Sequence, residues 1–519
     1  MQTFLARFGS EIKGTLSGFD RVRFRGTLRR ISSYRGMMSY LWERQILLKE
    51  FKGWAMGLTD AIRQRTVRLA ERFERPLVHL PSSATRKENV ALDIAAQGGI
   101  TEGLVCVLTC TESCQTFEVG PNAAWKRLEL RVKPGKCRHD YFYVLDPQFG
   151  LMHLRLQTWL PFSIHVCLNG REWLARLLKR QGIKFEQQEN CFVDVEHIGR
   201  AQQVFDRQQR TDWDGMLNGL VRRWHPAHRG LFPEPLDYYW SAEETEWATD
   251  LMFRSPQALA NVYPHFVQHA TTTFGSGDVL RFLGKRPTPR VHGNFTGEVL
   301  TSLATRPEGT RVKHAVNRNS IKMYDKQGSV LRVETTINDP RDMKSFRTTE
   351  GDPSGKKSWQ RLRKGVSDLH RRTEISQQSN ERYLETLAAV ATPTPLKEVV
   401  GKVCRPAKWQ GRRVRALQPL GQADGALLAA VTRGEFAVNG FRNRDLRTVL
   451  AGKTASDPVT SKRQAARITR QLRLLRGHGL IQKISKTHRY QLTPSGRTII
   501  TALLVAQQTN IQHLAQLAA

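Results

Sequence analysis

Three ionisable side chains in the middle of the chain, His314, Asp325 and Glu334, sit in segments that alternate apolar and polar residues: Arg311-Val-Lys-His-Ala-Val, Ser320-Ile-Lys-Met-Tyr-Asp-Lys and Ser329-Val-Leu-Arg-Val-Glu-Thr-Thr-Ile. A period of two is the mark of a strand, with residues i and i+2 on one face. Turn signals at Asn317-Arg-Asn and Gln327-Gly separate the segments, which predicts a three-stranded meander over residues 309–337. His314 shares parity with Val312 and Val316, Asp325 with Ile321 and Met323, and Glu334 with Arg332 and Thr336. If those faces coincide, an imidazole and two carboxylates meet on adjacent strands. That donor set suits Mg2+ or Mn2+, and such a cation polarises a scissile phosphate. The competing expectation is ordinary strand polarity, with Glu334 paired to Lys322 or Arg332 across the ladder.

Tyr324-Asp-Lys followed by Arg332-Val-Glu on the next strand resembles the paired motif of rolling-circle replication initiators of plasmids and filamentous phages, over about thirty residues. Those proteins nick one DNA strand with a tyrosine that forms a phosphotyrosyl link while a metal stabilises the charge on phosphate. The resemblance implies that Asp325 and Glu334 are site carboxylates and that Tyr383, on a later helix, is the nucleophile. Tyr383 read on its own spacing instead packs with Leu384 and Leu387.

Two other clusters offer ligands. Cys110, Cys114, Cys137 and His139 are zinc-type donors, but their spacings reproduce no common finger or ribbon, so free thiols are expected and Mg2+ or Mn2+ rather than zinc is the expected cation. Glu243, Glu246 and Asp250 fall on one face if Glu243 to Leu280 is helical, where they serve a metal or complement the helix dipole. There is no Walker lysine loop, no Gly-x-Gly-x-x-Gly and no Gly-x-Ser-x-Gly, so nucleotide hydrolysis and serine-hydrolase chemistry have no support.

The elements that must position these groups read as an α+β chain, a mixed helical and antiparallel-sheet body with a C-terminal winged-helix domain. A basic extended segment, Arg21-Val-Arg-Phe-Arg-Gly, precedes helix from about Met37 to Arg72. Residues 103–168 alternate and turn at Asp146-Pro-Gln-Phe-Gly, which predicts an antiparallel sheet, and Asn169-Gly170 opens an amphipathic helix to Arg180. A Gly/Ser/Lys-rich loop at Thr349 to Ser358 leads into a helix containing Glu381 to Leu387, and residues 405–415 read as a basic, turn-rich connector. The resulting division is an α+β region at 1–240, a central α+β region at 241–400, a linker at 401–420 and a final domain at 421–519.

In that last domain Leu427, Leu428 and Val431 share a face, Asn443 caps a second helix and Ser461 caps a third that runs to Arg476. On the third, Ala465, Ile468, Leu472 and Leu475 fall on one side while Arg463, Arg467 and Arg470 fall nearly opposite. Two strands around Lys486-Thr-His-Arg489 and a last helix from about Ser495 follow. Through Leu475-Arg-Gly-His-Gly-Leu-Ile, Arg489-Tyr-Gln-Leu-Thr and Ser495-Gly-Arg this region resembles the winged-helix domains of MarR-like regulators. The resemblance implies that the third helix enters the major groove and that Lys483, Lys486, His488 and Arg489 lie on or beside the wing along the DNA backbone or minor groove.

Total charge agrees with a polyanion partner: 81 Lys+Arg against 47 Asp+Glu give +34 over 519 residues. No apolar run reaches a membrane-spanning length, the first residues lack a signal-peptide core, and seven scattered cysteines fit a reducing compartment. The expected protein is cytoplasmic and binds double-stranded DNA in replication or a mobile element, as a metal-dependent strand-nicking enzyme. The alternatives are a large non-catalytic regulator, or an RNA-binding protein that stacks bases on Tyr141-Phe-Tyr and the His153-Leu-Arg-Leu strand.

Overall fold

A computed structural model describes residues 1–284, 299–306, 309–349, 352, 354–388, 396–436, 440–451, 457–484 and 487–508. The chain is α+β and divides into two units, one of residues 13–252 and 334–377, the other of residues 1–12, 253–333 and 378–519. Among the described residues no helix is long and apolar enough to cross a membrane.

The first unit is built on strands β1 (Ile12–Leu28), β2 (Leu77–His79), β3 (Gly103–Asn122), β4 (Arg127–Asp146), β5 (Gly150–Gln157), β6 (Ile164–Asn169) and β9 (Tyr238–Phe253), with a separate hairpin of β7 (Phe185–Gln188) and β8 (Cys191–Val195). The sheet order is β9-β1-β6-β5-β4-β3-β2. The β1–β6, β6–β5, β5–β4 and β4–β3 pairs are antiparallel, and β2 runs parallel to β3. Register assigns the faces. Phe24, Val166, Leu154 and Phe142 lie across from one another and are buried against helices Tyr34–Glu43, Phe51–Arg72, Gly170–Arg180 and Trp213–Trp224, with Met37, Ile62, Trp173 and Trp224 in the same core. Each fully buried side chain of that size contributes about 1.5–3 kcal/mol. Gly26 is glycine because a Cβ there would meet the Trp240 ring at 3.0 Å and Ile164 at 2.7 Å. Asn169 caps helix Gly170–Arg180, accepting from the backbone N–H groups of Arg171 and Glu172.

Two expectations change here. The predicted single helix at Met37 to Arg72 is two, Tyr34–Glu43 and Phe51–Arg72. The segment from Glu243 is strand β9 up to Phe253, and helix begins only at Pro256 behind the Ser255 cap. Its carboxylates fell at helical spacing, but Tyr238, Trp240, Thr245, Trp247 and Thr249 are the aromatic and β-branched types that suit a pleated surface.

The second unit contains β10 (Val299–Arg306), β11 (Gly309–Val316), β12 (Asn319–Lys326) and the first half of β13 (Val330–Ile337), in that sheet order. The expected meander is present, and its turns use positive φ at Asn317 (54°), Gln327 (56°) and Gly328 (71°). β10 was not foreseen.

The C-terminal part of this unit runs helix Gln422–Val431, helix Asn443–Ala451, helix Pro458–Gly477, hairpin Ile481–Lys483 with Tyr490–Leu492, and helix Pro494–Gln508. Leu427, Leu428, Leu446, Ile468, Leu472, Leu475, Ile500 and Leu503 form its core. Val403, Val414 and Leu417 belong to that core too, so residues 401–420, expected as a linker, hold the end of helix Leu396–Val403 and a hairpin, Ala407–Trp409 with Arg412–Val414, that pack into this module. Its turn residues Gln410 and Gly411 both take positive φ, as a tight two-residue hairpin loop requires. Asp457, not Ser461, caps the long helix, with Pro458 at its first position. Asn443 is itself the first helical residue, and its amide donates to the Ala465 carbonyl at 2.9 Å, tying two helices together.

Candidate functional site

His314 is fully buried, and both ring nitrogens are occupied: Nδ1 hydrogen-bonds Thr301 Oγ1 at 2.9 Å and Nε2 hydrogen-bonds the Tyr383 hydroxyl at 3.2 Å. Burial lowers its pKa to about 4, so the imidazole is neutral. Tyr383 is equally buried, packed edge-on against Phe274 and Phe282, and burial raises its phenol well above the ordinary value. A nucleophile must reach a phosphate in solvent, and this one faces a histidine inside the core.

The β11–β12 register sets His314 against Ile321, so Asp325 lies four residues further along the ladder, roughly 13 Å away at ~3.3 Å per residue. Asp325 is half-buried, and burial raises its pKa against the pull of the Gly328 backbone N–H. Glu334 is buried in β13 and accepts from Thr336 Oγ1 at 3.4 Å. The structure therefore does not bring His314 and Asp325 together as a cation site, and Glu334 belongs to the other unit. Among the described residues, the one trio of His, Cys, Asp or Glu whose ligand atoms come within reach of a single ion is Cys114, Cys137 and His139, all within 4.8 Å of one another. Cys110 stands across the ladder from His139 but is not one of that trio, and it is buried in an apolar cluster with Leu108 and Ala91.

The face of the first unit's sheet that turns away from the main core carries a chain of charges. Glu112 pairs with Lys87 Nζ at 3.0 Å and accepts from Tyr141 Oη and Arg155 Nη2, each at 2.7 Å. Burial works against its carboxylate, but these three donors outweigh it and hold the pKa at about 2. Arg155 Nη1 also donates to His165 Nδ1 at 3.2 Å, and His165 Nε2 meets Glu243 Oε2 at 3.3 Å. Glu243 in turn contacts Arg25 Nη1 at 3.4 Å and Arg23 Nε at 3.6 Å. His165 holds the Glu243 carboxyl down at about 2 against its burial, while burial and the nearby Arg155 and Arg25 hold the His165 imidazole below its ordinary value. Both carboxylates are met by cations of neighbouring strands and helix, which makes the network a positioning device for its strands.

The carboxylates expected on a helix face thus project from strand β9 to cationic partners: Glu243 to His165, Glu246 to Arg21 at 3.2 Å, and Asp250 to the fully buried Arg171 of helix Gly170–Arg180 at 3.1 Å. Tyr141 and Tyr143 are buried beneath helix Lys87–Gln97 and stack on each other, so neither offers a ring to an unpaired base.

On helix Pro458–Gly477 the division of faces holds. Ile468, Leu472 and Leu475 are buried, whereas Arg463, Arg467 and Arg470 are exposed, and among the described residues no carboxylate pairs with them. The sequence from 458 to 519 contains no aspartate or glutamate. Beside this face a groove of about 360 Å³ is lined by Arg413, Arg415, Arg467, Arg470 and Arg473, with Asp424 bound to Arg415 at 2.7 Å. Sequence reasoning missed this groove because two of its arginines were assigned to the linker. On the hairpin, Lys483 and His488 are exposed, Arg489 turns back to the Gly440 carbonyl at 3.3 Å, and Lys486 lies outside the described residues. Phe441 pairs with Tyr490 through two backbone hydrogen bonds, extending the hairpin by a third short segment.

The chain matches no protein-family model, no curated protein and no solved structure.

Proposed function

We propose that the protein binds DNA through its C-terminal module, used as a winged helix, with helix Pro458–Gly477 in the major groove and the adjoining arginine groove on a backbone phosphate. The carrying observation is the exposed row Arg463, Arg467 and Arg470 opposite a buried apolar face, in a stretch free of acidic residues. The order of three helices, hairpin and helix, and the Phe441–Tyr490 pairing beside the hairpin, support the same reading. A net charge of +34 adds a long-range attraction that falls with salt.

Between regulator and nicking enzyme, the burial of Tyr383 against His314 favours a binding protein without a tyrosine nucleophile. The test is fluorescence anisotropy of duplex and single-stranded DNA over a range of salt concentrations. Replacing Arg463, Arg467 and Arg470 with alanine is expected to weaken duplex binding and to flatten the log K against log salt slope by up to about 0.9 per lost phosphate contact. An unchanged affinity and slope would remove the module from the interface. A metal-dependent nick in supercoiled plasmid, abolished by Glu334→Ala, would restore the initiator reading.

A further inference from the structure

We propose that Cys114, Cys137 and His139 form a binding site for one thiophilic divalent cation, Zn2+ by donor chemistry, clipping β3 to β4. The register places Cys114 opposite Gly135 and Cys137 opposite Glu112, so the two cysteines are diagonal neighbours on one face, and His139 follows Cys137 by two residues on that face. The sulfurs are 3.3 Å apart, and the ligand atoms of the three residues all lie within 4.8 Å of one another. A tetrahedral ion with Zn–S bonds near 2.3 Å separates two sulfur ligands by about 3.8 Å, so small side-chain adjustments suffice.

The second observation is the state of His139. It is almost wholly buried, and its Nδ1 donates to the Cys137 carbonyl at 3.2 Å, which leaves the lone pair on Nε2. That nitrogen is buried without a hydrogen-bond partner. An imidazole whose one nitrogen donates to a backbone carbonyl while the other keeps its lone pair is set up as a metal ligand. Two sulfurs and one nitrogen reject Mg2+ and Mn2+ and select zinc among abundant cations. Binding replaces two S–H bonds by two metal–sulfur bonds and releases two protons to solvent, while the imidazole gives its lone pair without losing a proton. Three protein ligands leave a fourth position for water or another small ligand.

The test uses the full chain, purified under a reductant that does not bind metal, stripped of metal and titrated with Co2+. The expected result is about one equivalent bound, with a sulfur-to-cobalt charge-transfer band and tetrahedral visible bands, displaced by Zn2+. Cys114→Ser, at a half-exposed position, should abolish the band while circular dichroism stays unchanged. His139→Asn should weaken binding at least tenfold, and Cys404→Ser should leave it intact. No band in the reduced wild type, or a band that survives Cys114→Ser, would overturn the site. So would a Cys114–Cys137 disulfide in the purified protein that, once reduced, takes up no cobalt.

Discussion

Arg155 donates through Nη1 to Nδ1 of His165 at 3.2 Å, and because a guanidinium can only donate, that contact fixes the tautomer. Nδ1 accepts, Nε2 carries the proton, and the proton faces Glu243 Oε2 at 3.3 Å. Removing the guanidinium frees Nδ1 to take a proton and leaves Glu243 to favour the imidazolium. Arg155→Met is therefore expected to raise the His165 pKa from its depressed position. Histidine-ring NMR titration of wild type and variant checks this, and an unchanged or lower value would show that the contact does not set the protonation state.

Several other histidines are held neutral by burial, and together they predict acid sensitivity. Burial lowers His225 to about 3, with His228 adding to the effect, and lowers His314 to about 4. In the unfolded chain each titrates near 6.5. Below that pH the unfolded state binds protons that the folded state refuses, so stability is complete above about 6.5 and falls as pH drops toward 4. At pH 5 the loss is on the order of 2 kcal/mol for each such histidine. Urea midpoints at pH 7.5 and pH 5 test the sign: a higher midpoint at pH 5 would contradict it. His225→Gln should shrink the difference.

What could be read before folding was whatever one segment carries by itself. The meander at 309–337 announced itself by alternation and two turns, and Arg463, Arg467 and Arg470 by their spacing on one helix. The Glu112–Arg155–His165–Glu243 chain did not, because its members come from four strands far apart in sequence, and only register brings them together. The available signal was the i, i+2 pairing of polar residues within strands, Cys137 with His139, His153 with Arg155 and His165 with Cys167. His314 and Asp325 failed as a pair for the same reason in reverse. Shared parity fixes a face but not a position along the ladder, and Asp325 is displaced four residues from His314.

The His314–Tyr383 contact separates a structural tyrosine from a catalytic one. Tyr383→Phe removes only a hydroxyl, and the ring keeps its packing against Phe274 and Phe282. The expected cost is about 1 kcal/mol, the usual net worth of one buried hydrogen bond. DNA affinity should not change. A covalent protein–DNA adduct in the wild type that disappears in Tyr383→Phe would instead make the phenol a nucleophile.

Arg171 and Asp250 are both fully buried and meet at 3.1 Å, with Asp20 3.7 Å from Arg171 Nε and the guanidinium 4.9 Å from the Phe205 ring centroid. Arg171 Nη2 also donates to the Ala248 carbonyl at 3.2 Å. The pair ties helix Gly170–Arg180 to β9, so the cap at Asn169 and this ion pair act on the same helix. Asp250→Ala would leave a buried guanidinium short of its main counter-charge, which costs roughly 3–5 kcal/mol. Asn169→Ala should cost only about 1 kcal/mol, the ordinary loss of an N-cap. Equilibrium unfolding of the two variants gives the comparison. If Asp250→Ala proves no worse than Asn169→Ala, Asp20 or solvent compensates Arg171, and the ion pair is not what holds the helix to the strand.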